Sequence, residues 1–294
     1  VEALSRSIAP GRGIAFMLFG SALLTVNDTV LKWLTAGYPT GQIMFLRGIF
    51  VILPVALLVW RAGGVTQLRI NSWRAHGLRA ACVSVGTFLF ITGLAFLPLA
   101  DAVAIAFAGP LFVTALAAPV LGEIVGWRRW TAVLAGFVGV LIITRPTGEA
   151  IQWAAMLPLT ASLCGALRDL ITRKISTSES SIAMLVTSTA AVVLAGLATA
   201  PFGWRPVAAF DLALMAISGI VIGSAHFLLI ECFRLAEAAL VSPFKYSNLL
   251  WAILFGFLVW GDLPDEWTLA GAGIVVVSGL YILRREALSR ETRA

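Results

Sequence analysis

The sequence predicts an all-α integral membrane protein: ten transmembrane helices arranged as two inverted five-helix repeats around a central cavity. Three observations predict it. Of the 294 residues 60% are hydrophobic and only 12% charged, whereas soluble proteins are roughly half apolar and a quarter charged. Apolar stretches of about 20 residues, the length that crosses the hydrocarbon core, recur along the chain with short turn-forming segments between them. The chain also echoes itself. Leu99, Ala100, Asp101 and Ala102 return as Leu235, Ala236, Glu237 and Ala238, and Trp130, Thr131, Ala135, Gly136, Val138 and Val140 return as Trp267, Thr268, Ala272, Gly273, Val275 and Val277.

The first apolar run, 14–34, follows Arg6 and Arg12 as a signal peptide would, but it is longer than the roughly 7–15 apolar residues of a cleaved signal and is expected to be retained as a span. Further spans are expected at 41–60, 78–97, 101–121, 127–144, 152–172, 181–200, 211–233, 238–260 and 267–283. The breaks between them fall at Ala36–Pro39, Leu97–Pro98, Gly122–Gly126, Arg145–Gly148, Pro201–Pro206 and Gly261–Pro264, where glycine and proline favour turns. Pro54, Pro110, Pro158 and Pro243 lie inside spans and remove a backbone donor at each position, so each is a kink, either a hinge or a fixed packing feature. Residues 1–150 are expected to form the first repeat and 151–294 the second. Five helices is an odd number, so the second repeat enters the membrane with the opposite orientation, as in secondary transporters.

Basic residues orient the chain, because cytoplasmic segments retain Lys and Arg. With the N-terminus inside, fifteen of the 21 basic residues fall in inner segments, only Arg145 and Arg205 in outer ones, and Lys32, Arg47, Arg168 and Lys245 within spans. Both termini are therefore expected on the cytoplasmic side. The net charge of +6 is distributed between apolar runs and never forms a block with interleaved aromatics, which points to anionic lipid headgroups as partners and away from nucleic acid. Cys82, Cys164 and Cys232 fall in three different runs with no metal-ligand spacing, so no metal or cofactor is expected.

Polar residues inside spans are the candidate site, because hydrocarbon tolerates them only when they face protein or a wet cavity. Asp28 and Lys32 are four residues apart and share a helix face, as a structural ion pair or as a gate that breaks during transport. Arg47, roughly 9 Å into helix 2, is a third member of this cluster or snorkels outward. Asp169 and Arg173 stand in the second repeat where Asp28 and Lys32 stand in the first, 141 residues earlier in each case. Lys245, with Tyr246 and Asn248, is expected either to attract a substrate carboxylate or to partner Asp169 or Glu231. His226 is expected to be the one histidine inside a span, His76 belonging to a basic loop; it carries a coupling proton or bonds within the core. Asn27 and Arg168 are further cavity-lining candidates.

Several of these residues, in this order and spacing, resemble the EamA-type families of the drug/metabolite transporter superfamily. They are Lys32, the Phe45-Leu46-Arg47 segment, Pro110 with Gly122-Glu123, Gly136, Gly139, Pro243 and Gly261-Asp262. Asp262 departs from the commoner Glu, and Lys245-Tyr246 from a position that is often apolar. The resemblance covers nearly the whole chain. It implies ten helices around a cavity lined mainly by helices 1, 3, 4, 6, 8 and 9, alternating access, and a chain most like bacterial inner-membrane exporters of aromatic and other amino acids. The expected function is thus a secondary transporter of small metabolites, amino acids outward, or alternatively of riboflavin or a nucleoside-like compound. An intramembrane enzyme is disfavoured because no catalytic constellation is visible, and a channel because of the paired repeat. Ten helices enclose a cavity without a partner subunit, so a monomer suffices.

Overall fold

Why this chain folds into helices follows from its solvent: without water to satisfy the backbone, each span must close its own hydrogen bonds. The computed structural model describes residues 10–61, 63–64, 68–122, 126–144, 151–175, 178–235 and 242–291. Among the described residues there is no strand. The helices are α1 (Pro10–Thr35), α2 (Thr40–Arg61), α3 (Trp73–Leu94), α4 (Leu99–Ala106), α5 (Gly109–Leu121), α6 (Trp127–Thr144), α7 (Ile151–Ile175), α8 (Ser181–Leu197), α9 (Ala209–Leu235), α10 (Ser247–Trp260) and α11 (Glu266–Glu291), with a 3₁₀ turn at Ser242–Tyr246 leading into α10. Six helical segments are long and apolar enough to cross a bilayer, one of them running from Leu99 to Leu121; Trp130–Thr144, Ile182–Leu197, Phe244–Trp260 and Glu266–Ile282 are apolar but shorter. Large apolar side chains such as Phe19, Leu53, Leu134, Leu194 and Leu258 are exposed along the helices, and Trp60, Trp73, Trp127, Trp153 and Trp267 are exposed at helix ends, where tryptophan sits at membrane interfaces.

Local sequence sets the ends. Ser72 and Ser180 cap α3 and α8 by accepting from Ala75 N and Ile182 N. Gly122 and Gly261 close α5 and α10 with φ of 70° and 74°, a left-handed conformation that glycine adopts at no steric cost. Two expected spans are not continuous. The 101–121 span breaks between Ala106 and Gly109, because Pro110 has no N–H to offer the Ala106 carbonyl. The 238–260 span begins, within the described residues, as the 3₁₀ turn containing Pro243. The first also begins earlier than expected, at Leu99, and α3 starts at Trp73, which places His76 inside a helix rather than in a loop. Residues 145–150, where the two expected repeats join, lie outside the described residues.

Packing between helices follows one rule. The principal pairs are α1–α9, α3–α7, α2–α8, α2–α9, α3–α8, α6–α11, α1–α10, α4–α10 and α7 against both α4 and α5. If α1 to α3 exchange with α7 to α9, α4–α5 with α10 and α6 with α11, these pairs map onto one another. Glycines permit the close approaches: a Cβ on Gly139 would lie 2.7 Å from the Gly271 carbonyl, and one on Gly219 would lie 2.7 Å from the Arg47 carbonyl.

Contacts gather at two ends. At the Tyr38 end, the Tyr38 hydroxyl accepts from Ala208 N and donates to Asp211 Oδ2 (2.7 Å), and the bond to that carboxylate holds the phenol above its usual pKa, outweighing the lowering by Ala208 N. There too Gln42 clasps the Arg205 backbone, Nε2 to O at 2.6 Å and N to Oε1 at 3.0 Å. At the Glu179 end, the buried Glu179 carboxylate accepts from Asn71 N, Ser72 N and His76 Nε2.

Candidate functional site

A cavity of about 550 Å³ lies between α1, α2 and α3 on one side and α7, α8 and α9 on the other, and Ala106 at the α4–α5 break completes it. That volume suits a small organic ligand. Toward the Tyr38 end its walls are the buried Leu31, Met44 and Ile91. Toward the Glu179 end Arg168 and Asp169 remain 39% and 53% exposed, and His226 is also open.

Six of the sequence candidates are brought together here: Asn27, Asp28, Arg47, Arg168, Asp169 and His226. Asn27 is fixed from behind, its Oδ1 accepting from Ser218 Oγ of α9 at 2.7 Å while its Nδ2 donates to Asp28 Oδ1 at 2.9 Å. Arg47 faces Asp28 from α2, close enough for their charges to act on one another but not as an ion pair. Arg168 Nε donates to the adjacent Asp169 at 2.8 Å. His226 Nδ1 bonds the Ile222 carbonyl at 2.8 Å, and since a carbonyl only accepts, Nδ1 carries the proton and Nε2 is the ring's remaining polar atom. Lys245 is exposed beyond the cavity wall, within electrostatic reach of Asp169 and Arg168; the side chain of Glu231, its other expected partner, lies outside the described residues.

Four expectations require correction. Lys32 does not pair with Asp28. It reaches the Tyr38 end, where Nζ donates to the Leu97 carbonyl at 2.6 Å, lies 3.8 Å from Asp262 and sits 5.0 Å over the Trp260 ring. A lysine near a helix end extends toward the interface, and there it finds an acceptor and a carboxylate. Tyr246 and Asn248 are not in the cavity wall. The Tyr246 ring packs on Phe107 at 5.0 Å and its hydroxyl lies against Gly279, while Asn248 Oδ1 accepts from Thr25 and ties α10 to α1. His226 is not the one histidine inside a helix, since His76 is buried in α3 between Glu179 and Thr187. Finally, α2 and α8 line the cavity, and α10 does not.

Sequence reasoning also missed Arg79, Cys82 and Phe90 in the wall. Arg79 is committed to protein, donating to Thr172 Oγ1 and the Met184 carbonyl at 2.8 Å each and to Ser188. Its position nearly two turns inside α3 was the available signal, hidden by counting it as a loop charge. Nothing in the sequence marks Cys82 or Phe90 off from lipid-facing neighbours. Among the described residues no group of three or more His, Cys, Asp or Glu is placed to hold a metal.

Residues 11–145 match the EamA-like transporter family. The chain is 26% identical over 284 residues to an S-adenosylmethionine uptake transporter of Rickettsia prowazekii, covering 96% of this chain and 95% of that protein. It is 29% identical over 289 residues to a riboflavin transporter of Rhizobium johnstonii, covering 96% and 95%. A crystal structure matches with a TM-score of 0.64 over 95% of this chain and 99% of the other; at 15% identity this shows a shared fold.

Proposed function

We infer that this chain, whose residues 11–145 match the EamA-like transporter family, is a secondary transporter that carries a small organic metabolite across a bacterial inner membrane by alternating access. One observation carries the reading. The cavity ends toward Tyr38 against the buried Leu31, Met44 and Ile91, with Lys32 on Asp262 and the Leu97 carbonyl beyond them, and is open at the other end through Arg168 and Asp169. A cavity shut on one side and wet on the other is one state of a carrier.

The mirrored arrangement of 1–150 and 151–294 is supported by the packing pairs, which survive exchange of the halves, and by the discontinuities at Pro110 and Pro243 in corresponding helices. Unwound segments near the bilayer midplane mark transporter sites. With the basic residues inside, the Tyr38 end is the outer one, both termini are cytoplasmic, and the cavity faces inward. Amino acids and metabolites built on them are the substrate class that we assign. Net direction then follows from gradients, because alternating access without a coupled ion is reversible; this replaces a fixed outward direction.

Counterflow in proteoliposomes tests the carrier. Labelled S-adenosylmethionine, amino acids and riboflavin are offered singly, with unlabelled compound preloaded inside. Preloading is expected to stimulate entry of at least one of them; uptake indifferent to the contents of the vesicle would identify a channel and overturn the reading.

A further inference from the structure

Three arginines enter the cavity wall, and they differ in what they hold. Arg79 donates to Thr172, Met184 and Ser188, and Arg168 is engaged by the adjacent Asp169. Arg47 donates no hydrogen bond to any described residue, although it lines the same cavity. A half-buried guanidinium with five donors and no acceptor among the described residues is left for cavity water or a ligand anion to complete. Arg47 is thus the cavity cation available to a ligand.

Across from it stands a carboxylate prepared in the opposite sense. Asn27, held by the buried Ser218, donates to Asp28 Oδ1, and the second Asp28 oxygen receives no hydrogen bond from a described residue. The chain Ser218 to Asn27 to Asp28 fixes the carboxylate before any ligand arrives, as a binding group requires. Asp28 and Arg47 feel each other's charge yet do not close an ion pair. Two opposite charges, side by side and unclosed on neighbouring helices, match the two ends of an α-ammonium carboxylate. Leu31, Met44, Phe90 and Ile91 make the adjoining wall apolar, with Phe90 as its aromatic face.

We propose that Asp28 and Arg47 form a zwitterion subsite, Asp28 taking the ammonium and Arg47 the carboxylate of a metabolite whose remaining part is apolar or aromatic, with Asn27 and Ser218 as positioning residues. The proposal rests on the transporter reading and adds the residues that select its substrate. It separates the two chemistries named among the relatives, because S-adenosylmethionine carries an α-amino acid group and riboflavin carries none.

The test is a cycle of ligand against residue on the purified full chain in nanodiscs. The probes are S-adenosylmethionine, its decarboxylated form, 5′-methylthioadenosine, which lacks both charged ends of the amino acid, and riboflavin, compared by binding competition. In the native chain, removal of the carboxylate is expected to weaken binding roughly 10- to 100-fold, the value of one charge-assisted contact. Arg47→Gln should weaken S-adenosylmethionine by the same factor while leaving the decarboxylated form nearly unchanged, and Arg47→Lys should restore part of the loss. Asp28→Asn should weaken both amine-bearing forms and spare 5′-methylthioadenosine. Retained binding of the truncated probe shows in the same experiment that the variant is folded. Equal loss of all probes in Arg47→Gln, or a native chain indifferent to the carboxylate, overturns the subsite. Riboflavin counterflow that S-adenosylmethionine does not inhibit in the native chain would leave the carrier standing and remove the subsite, whereas absence of counterflow for every compound would remove the carrier.

Discussion

Asp28 and Asp169 hold corresponding places, each four residues before a cation, Lys32 or Arg173, and 141 residues apart. Their surroundings differ. Asp28 is enclosed between Asn27 and Arg47, with Lys32 one turn further on drawn to Asp262 and the Leu97 carbonyl. Asp169 is 53% exposed and turned to its neighbour Arg168. Composition explains part of this, since Asn27 precedes Asp28 where Arg168 precedes Asp169. In the alternating-access reading proposed above the difference is also one of state, with one end of the cavity drawn together and the other apart.

The comparison breaks most severely if the shared scaffold fails. The α6–α11 contact is made by glycines whose Cβ atoms would meet backbone, Gly139 against the Gly271 carbonyl at 2.7 Å and Gly271 against the Gly139 carbonyl at 2.6 Å. Gly139→Val is expected to cost about 1–3 kcal/mol or more by overpacking, visible as loss of monodisperse protein in detergent. Next in size is the tie at the closed end. Lys32→Ala or Asp262→Ala should shift the population toward opening at the Tyr38 end, by roughly fivefold for a part-exposed pair worth about 1 kcal/mol. Thiol labelling at Met44→Cys would measure it. The double exchange Lys32→Asp with Asp262→Lys should recover part of the closure.

The smallest effect belongs to the seam at the other end, which joins α3 to the α7–α8 turn and is expected to hold in both states. Burial alone would raise the Glu179 carboxyl, but hydrogen bonds from Asn71 N, Ser72 N and His76 outweigh it, and its pKa falls below the ordinary 4.5. A depressed carboxylate contributes stability above its unfolded pKa and loses it as pH falls through the folded one. The melting temperature of the native chain should therefore drop more steeply below about pH 4.5 than that of Glu179→Gln, with counterflow at neutral pH little changed in the variant. Parallel slopes would exclude this contribution.

Depth was legible in the sequence and facing was not. The periodic apolar runs located the helices, and the breaks at glycine and proline located most turns. Asn27, Asp28, Arg47, Arg168, Asp169 and His226 stand out because charge or amide inside hydrocarbon is rare, and all six line the cavity. Tyr246 and Asn248 stand out for the same reason yet pack against Phe107, Gly279 and Thr25. A helix surrounded by lipid on one side and apolar protein on the other has little amphipathic contrast to say which way a residue points. Lys32 was misassigned on i,i+4 spacing, which brings two side chains within reach but does not weigh a better partner from another helix. The interruption at Ala106–Gly109 was concealed by an unbroken apolar composition, although Pro110 was its cause.

Met44 and Asp169, on the cavity wall toward opposite ends, offer the most direct test. Each is replaced by cysteine in a chain whose Cys82, Cys164 and Cys232 are serine, and a membrane-impermeant maleimide is applied from each side of oriented vesicles. The account predicts that position 169 labels from the cytoplasmic side while position 44 is protected from both, and that adding Lys32→Ala exposes position 44 to the outside as position 169 becomes less reactive. Simultaneous labelling of both positions from both sides, or no change at 169 when the Tyr38 end is loosened, would contradict it.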